Sequence, residues 1–85
     1  MNSRNRRVFD SIFTEPTLAS VKFSDVERLL VSIGVRVIEG NGSRVAFEFG
    51  DLKLFAHRPH PGKEARKYQI EAVREFLEKA GLGNE

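Results

Sequence analysis

The chain has 85 residues, 40% of them hydrophobic and 31% charged, with a net charge of +2. That length and balance indicate one small folded domain and leave no room for a second catalytic domain or a large cofactor-binding domain. There is no cysteine, which excludes disulfide scaffolds, thiolate zinc sites and thiol nucleophiles.

No apolar run approaches the ~18 residues of a membrane span, and the N-terminal stretch lacks the apolar centre of a signal peptide. The expectation is a cytoplasmic protein with no membrane partner. Charge is unevenly spread: residues 1–10 carry +2 and residues 52–67 carry +4, against −2 for residues 39–51 and −2 for residues 68–85. Two basic patches on a nearly balanced chain suit an anionic partner.

Residues 4–13 read as a short helix with an apolar stripe of Val8, Phe9, Ile12 and Phe13, ended by Pro16. The stripe is expected in the core, because a domain this small buries only about 60–65% of its unfolded surface; a docking surface is the alternative. Arg4, Arg6 and Arg7 at its start read either as a basic arm or as a solvated helix start. Residues 14–23 look extended.

Ser24-Asp25-Val26-Glu27 has the pattern of a capping box. Val26, Leu29, Leu30 and Ile33 follow at helical spacing, and Gly34 stands where a left-handed C-terminal cap belongs. Residues 35–39 read as a strand and Gly40-Asn41-Gly42 as a turn. Residues 44–49 alternate, with Val45, Phe47 and Phe49 on one face. Gly50-Asp51 is a two-residue hairpin signal of the type II′ kind, and residues 52–57 return.

That loop length sets the register. Phe49 faces Leu52, Glu48 faces Lys53, Ala46 faces Phe55 and Arg44 faces His57. The prolines and glycine of residues 58–65 indicate an ordered turn. A last helix runs from about Arg66 to Ala80 on a stripe of Ile70, Val73, Phe76, Leu77 and Ala80, ended by Gly81. Its exposed face carries Glu71, Glu75 and Glu78, which disfavours contact with a phosphate backbone.

The only histidines are His57 and His60, with Arg58 and Lys63 close by. Histidine is the usual proton-transfer group near neutral pH, and adjacent cations stabilise charge on a phosphoryl group. These are the parts needed to cleave a phosphodiester without a metal. The competing reading is a solvent-facing loop whose histidines bond locally. Two histidines alone are too few for a zinc site, so no metal or cofactor is expected. Gly40-Asn41-Gly42-Ser43 is a turn or a backbone anion site leading into Arg44. Arg44 itself is an ordinary strand arginine or a phosphate contact beside His57. Phe55, on the same open face, can stack on a base.

Several of these residues fall in a recognisable order. Ser24 opens a helix, Leu29-Leu30 and Gly34 follow, and Gly42-Ser43 precedes the second strand. Pro59-His60-Pro61-Gly62-Lys63-Glu64 comes next, and the chain closes with Arg74, Leu77 and Ala80-Gly81-Leu82. From Ser24 to Leu82 the sequence resembles the HicA family of toxins from bacterial toxin–antitoxin modules. The resemblance implies a fold similar to double-stranded-RNA-binding domains. It also implies a metal-independent ribonuclease acting on messenger RNA, and a HicB-type antitoxin partner.

The sequence departs from the family at one informative position. The family's catalytic histidine directly follows the Gly-Ser pair; here that residue is Arg44. A guanidinium stays protonated and cannot serve as a general base. Three readings remain: proton transfer by His57 across the hairpin with Arg44 stabilising the phosphorane, proton transfer by His60, or a protein that binds RNA or antitoxin without cleaving.

The combined expectation is an α+β protein. A three-stranded antiparallel sheet carries two helices on one face, with an extra N-terminal helix. The chain divides into an N-terminal extension (1–23), a HicA-like domain (24–82) and a tail (83–85). The expected catalytic set is His57, Arg44 and His60, with Ser43, Lys53, Arg58 and Lys63 binding RNA phosphate.

Overall fold

A computed structural model describes residues 1–83; the end of the expected tail, residues 84 and 85, lies outside the described residues. The elements run α1 (Ser3–Ile12), α2 (Phe23–Ser32), β1 (Arg36–Glu39), β2 (Arg44–Phe49), β3 (Leu52–His57) and α3 (Lys67–Lys79). The strands form an antiparallel sheet in the order β1-β2-β3. This is the α+β arrangement expected from the pattern and from the resemblance.

The β2–β3 hairpin has the expected register, from Phe49↔Leu52 through Glu48↔Lys53 and Ala46↔Phe55 to Arg44↔His57. Gly50 has φ +60°, and among the described residues only glycines have a positive φ. Asp51 therefore has a negative φ, which excludes a type I′ turn and fits type II′. Period-two alternation then sorts the side chains. Val45 and Phe47 are buried, while Arg44, Lys53, Phe55 and His57 are exposed on the other face.

Helices α2 and α3 end alike. Gly34 and Gly81 adopt φ +100° and +75°. Val35 N–H donates to Leu30 C=O at 3.0 Å, and Leu82 N–H to Leu77 C=O at 2.9 Å. Gly34 N–H and Gly81 N–H donate to Val31 and Glu78 C=O, each at 3.1 Å. These paired bonds are the Schellman ending, which needs a left-handed residue that glycine supplies without steric cost.

The N-terminus of α2 differs from expectation. The cap lies two residues earlier, at Lys22 instead of Ser24, with Phe23 the first helical residue and no side-chain cap bond, so the Ser24–Glu27 capping box does not form. Tertiary pairing replaces it. Phe23 N–H donates to Lys63 C=O at 3.2 Å, and Ala65 N–H to Val21 C=O at 2.7 Å, around a Lys22↔Glu64 bridge. These bonds draw Phe23 into the core, where its ring lies 6.2 Å from that of Phe47. They also fasten the loop after β3 to the entry of α2.

Val8, Phe9 and Ile12 of the expected stripe are buried, Ile12 fully so, Phe13 at the C-cap is partly buried, and α1 packs against both α2 and α3. Asn2 caps it, its Oδ1 accepting from Asn5 N–H at 2.7 Å. Arg74 on α3 holds its other end, donating from Nε to Ile12 C=O at 2.9 Å and from Nη2 to Thr14 C=O at 3.3 Å. These donors satisfy carbonyls that a helix end leaves without intrahelical partners. The stripe of α1 and the core residues of α2 and α3 belong to one continuous hydrophobic cluster.

Candidate functional site

The candidate site lies where the start of β2, the end of β3 and the entry to α3 meet. Arg44 reaches its position through a tight approach. Gly40 N–H donates to Arg44 C=O at 3.0 Å, and Arg44 N–H to Asn41 C=O at 3.1 Å. A Cβ on Gly40 would lie 3.0 Å from Arg44 Cβ and 3.3 Å from its carbonyl oxygen. Glycine is therefore the residue that lets β1 turn back beside Arg44. At the next rung, Arg58 N–H donates to Ser43 C=O at 2.8 Å, extending the hairpin ladder past His57.

His57 is exposed and directly opposite Arg44. Ser43 Oγ lies 3.4 Å from its Nδ1, at the long end of hydrogen-bonding distance. Ser43 thus lies beside the imidazole, and Arg44 is the cross-strand neighbour of His57. The main chain of His57 is held from below. Buried Gln69 donates from Nε2 to His57 C=O at 2.9 Å and accepts from Arg66 N–H at 2.9 Å. One amide side chain therefore ties the end of β3 to the first turn of α3.

The loop that follows is ordered, as its composition suggests. Lys63 N–H donates to His60 C=O at 3.0 Å, with Pro61 next and Gly62 at φ +82°. Proline then glycine at the two central positions is the type II turn pattern. The turn places His60 and Lys63, together with His57, Arg66 and Tyr68, around a cleft of about 570 Å³. Glu64 is the one carboxylate among its lining residues.

Arg58 has a different role from the one expected of it. Its Nε and Nη2 donate to the two carboxylate oxygens of Glu27 at 3.0 and 2.9 Å. Its Nη1 and Nη2 donate to those of Glu39 at 2.6 and 2.8 Å. The side chain points to the helix side of the sheet because it follows His57 by one residue, and period-two geometry reverses its face. Hydrogen bonds from Arg58 hold the Glu39 carboxyl below its ordinary range. Those same bonds, then those to Glu27, raise the guanidinium further above its already high value. Arg58 is thus a clamp joining α2, β1 and β3, with its charge matched locally, and not a free phosphate contact.

Lys53 also has a partner. Glu48 sits between Lys53 and Arg36, with N–O distances of 3.8 Å to each. Such exposed pairs are loose and contribute little to stability. Lys53 stands four rungs along the hairpin from His57. Arg44, Lys63, Arg66 and Lys67 have no carboxylate partner among the described residues. Arg44 pairs across the hairpin with His57, Lys63 and Arg66 line the cleft with it, and Lys67 follows Arg66 as the first residue of α3.

Arg66 and Tyr68 were not anticipated from the sequence. Tyr68 is 64% exposed on the first turn of α3. The signal available for it was its place off the apolar stripe of that helix, where an aromatic side chain has no core to enter. Arg66 reads as a helix start until the loop is folded beside it.

No helix among the described residues is long and apolar enough to cross a membrane. Comparison with curated proteins and with solved structures returns no match. The family model described as HicA toxin of bacterial toxin–antitoxin matches residues 23–82. That span runs from the first residue of α2 through the Schellman ending of α3 and includes the turn and the site. The chain therefore belongs to the HicA toxin family.

Proposed function

We propose that this toxin-family protein is a cytoplasmic endoribonuclease that cleaves messenger RNA without a metal ion, and that an antitoxin of the HicB type restrains it. The observation that carries the proposal is His57, which pairs across the hairpin with Arg44, lies beside Ser43 and lines the cleft shared with His60 and Lys63.

The chemistry is an internal transesterification. His57 takes the proton of a ribose 2′-hydroxyl. The oxygen bonds to the adjacent phosphorus, and the P–O5′ bond breaks. His60 gives a proton to the departing 5′-oxygen, leaving a 2′,3′-cyclic phosphate and a 5′-hydroxyl. Arg44 and Lys63 hold the extra negative charge of the phosphorane. General acid–base groups of this kind contribute about 10²–10⁴-fold each. Fixed cations contribute more in the transition state, where negative charge on the non-bridging phosphoryl oxygens is greatest.

A second reading has its own support. Arg44 stands where the family resemblance calls for a histidine, and arginine cannot abstract a proton. On that reading the protein binds RNA or antitoxin and does not cleave.

One assay separates the two. Purified wild type, His57→Ala and Arg44→Ala, each verified as folded by circular dichroism, are incubated with mixed messenger RNA with and without EDTA. Cleavage that survives EDTA and falls about 10²–10⁴-fold in His57→Ala supports the ribonuclease. Absence of cleavage by wild type, with RNA retained in a gel shift, supports the binding protein. Undiminished cleavage by His57→Ala removes His57 from the chemistry.

A further inference from the structure

Phe55 and Tyr68 are the two exposed aromatic side chains among the described residues, at 76% and 64%. They stand on different elements, yet both line one small cleft of about 140 Å³. Its other walls include the apolar Leu54, Ala56, Ala72 and Val73. His57, Tyr68 and Gln69 also line the larger cleft that holds His60, Lys63 and Arg66. The aromatic cleft and the cationic cleft therefore meet at His57.

Leaving two large rings in water has an energetic cost that burial elsewhere would avoid. Nothing among the described residues covers them, although the apolar positions of the core face are packed. Their neighbourhood narrows the kind of occupant. Among the described residues Arg44, Lys63 and Arg66 lack carboxylate partners at this end, whereas Arg36, Lys53 and Arg58 are paired. Rings beside free cations match a chain of flat apolar groups joined by phosphates. Single-stranded nucleic acid is such a chain, and its bases stack on aromatic side chains while its phosphates meet cations. A duplex keeps its base faces inside its own stack and cannot use the rings.

We propose that Phe55 and Tyr68 form a base-stacking subsite for an unpaired nucleotide next to the phosphate held at His57. The inference rests on the reading of this protein as one that binds RNA. It adds that the bound segment is single-stranded at this point.

The test uses the full chain and a short fluorescent 2′-O-methyl RNA, which binds but cannot undergo attack by a 2′-hydroxyl. Phe55→Leu, Phe55→Ala and Tyr68→Ala are each expected to weaken binding roughly 5- to 100-fold, the range of one lost base stack. Tyr68→Phe, which keeps the ring, is expected to bind within about twofold of wild type. The salt dependence of binding is expected to be unchanged in all four, since no phosphate contact is removed. Both side chains are largely exposed, so the variants are expected to keep the fold.

Wild type that binds the RNA, is weakened by Arg44→Ala and is indifferent to Phe55→Leu and Tyr68→Ala overturns the subsite and leaves the RNA reading standing. Preference for a duplex of the same sequence also overturns it. Loss of binding to a co-purified protein, with RNA binding intact, assigns the rings to a protein interface instead. Wild type with no RNA affinity at low salt removes the RNA reading and the subsite together.

Discussion

The Gln69 side chain donates to the main-chain carbonyl of His57 at 2.9 Å while accepting from Arg66 N–H at the start of α3. The site histidine is thus fixed through its backbone by a buried amide from another element. Truncation leaves two polar groups without partners in a largely dry position. Gln69→Ala is expected to lower stability by about 1–3 kcal/mol, read as a lower urea midpoint. A midpoint equal to wild type would mean that water replaces the amide at no cost.

Arg58 joins three elements through four hydrogen bonds to Glu27 and Glu39. Charge-assisted, two-pronged pairs of this type are the stronger class. Arg58→Ala leaves the half-buried Glu27 carboxylate without its partner, and a loss of about 1–3 kcal/mol is expected in chemical denaturation. Arg58→Lys is expected to recover only part, because an ammonium cannot span both carboxylates.

Acid is expected to weaken this clamp. Hydrogen bonding to Arg58 depresses the Glu39 carboxyl in the folded state. A depressed carboxylate contributes stability above its unfolded-state pKa, and the contribution is lost as pH falls through the folded value. The melting-temperature difference between wild type and Glu39→Gln should therefore narrow from about pH 7 to about pH 3. A constant difference across that range would show that the ionised form of Glu39 gives no advantage.

RNA binding is expected to sort the cations by their pairing. Arg44 and Lys63 have no carboxylate partner among the described residues, whereas Arg58 has two. Each phosphate contact to a single strand contributes a slope of about −0.7 in log K against log salt. Arg44→Ala and Lys63→Ala should each flatten the slope by roughly that amount, while Arg58→Ala, measured where it is folded, should not. An equal effect from all three would mean that the clamp opens on binding.

Helix α1 precedes the family match yet supplies Ile12, which is wholly buried, to the common core. Ile12→Ala is expected to cost about 2–5 kcal/mol by transfer and cavity terms. Removal of residues 1–13 is expected to give a loosened or aggregating protein, checked by denaturation and light scattering. Unchanged stability would make α1 an appendage.

The local features of the fold were legible in the sequence because their causes are local. Helical spacing of Val26, Leu29 and Leu30 and the glycines after α2 and α3 need no knowledge of distant residues. The two residues of Gly50-Asp51 lock the pairing of twelve others, including Arg44 with His57. Strict alternation also places Phe55 in water and Phe47 in the core.

Tertiary structure decided what depends on residues far apart in the chain. Ser24-Asp25-Val26-Glu27 carries a sound capping pattern, but backbone pairing with Lys63 and Ala65 satisfies the helix entry first. Arg58 looked like a free cation because the carboxylates that clamp it lie 31 and 19 residues away. Tyr68 and Arg66 join the site only when the Pro59–Glu64 turn folds back beside α3. Charge and hydrogen bonding act over a few ångströms of space, whatever the separation along the chain. Composition can count the cations of this protein; only the folded chain determines which remain free to meet a phosphate.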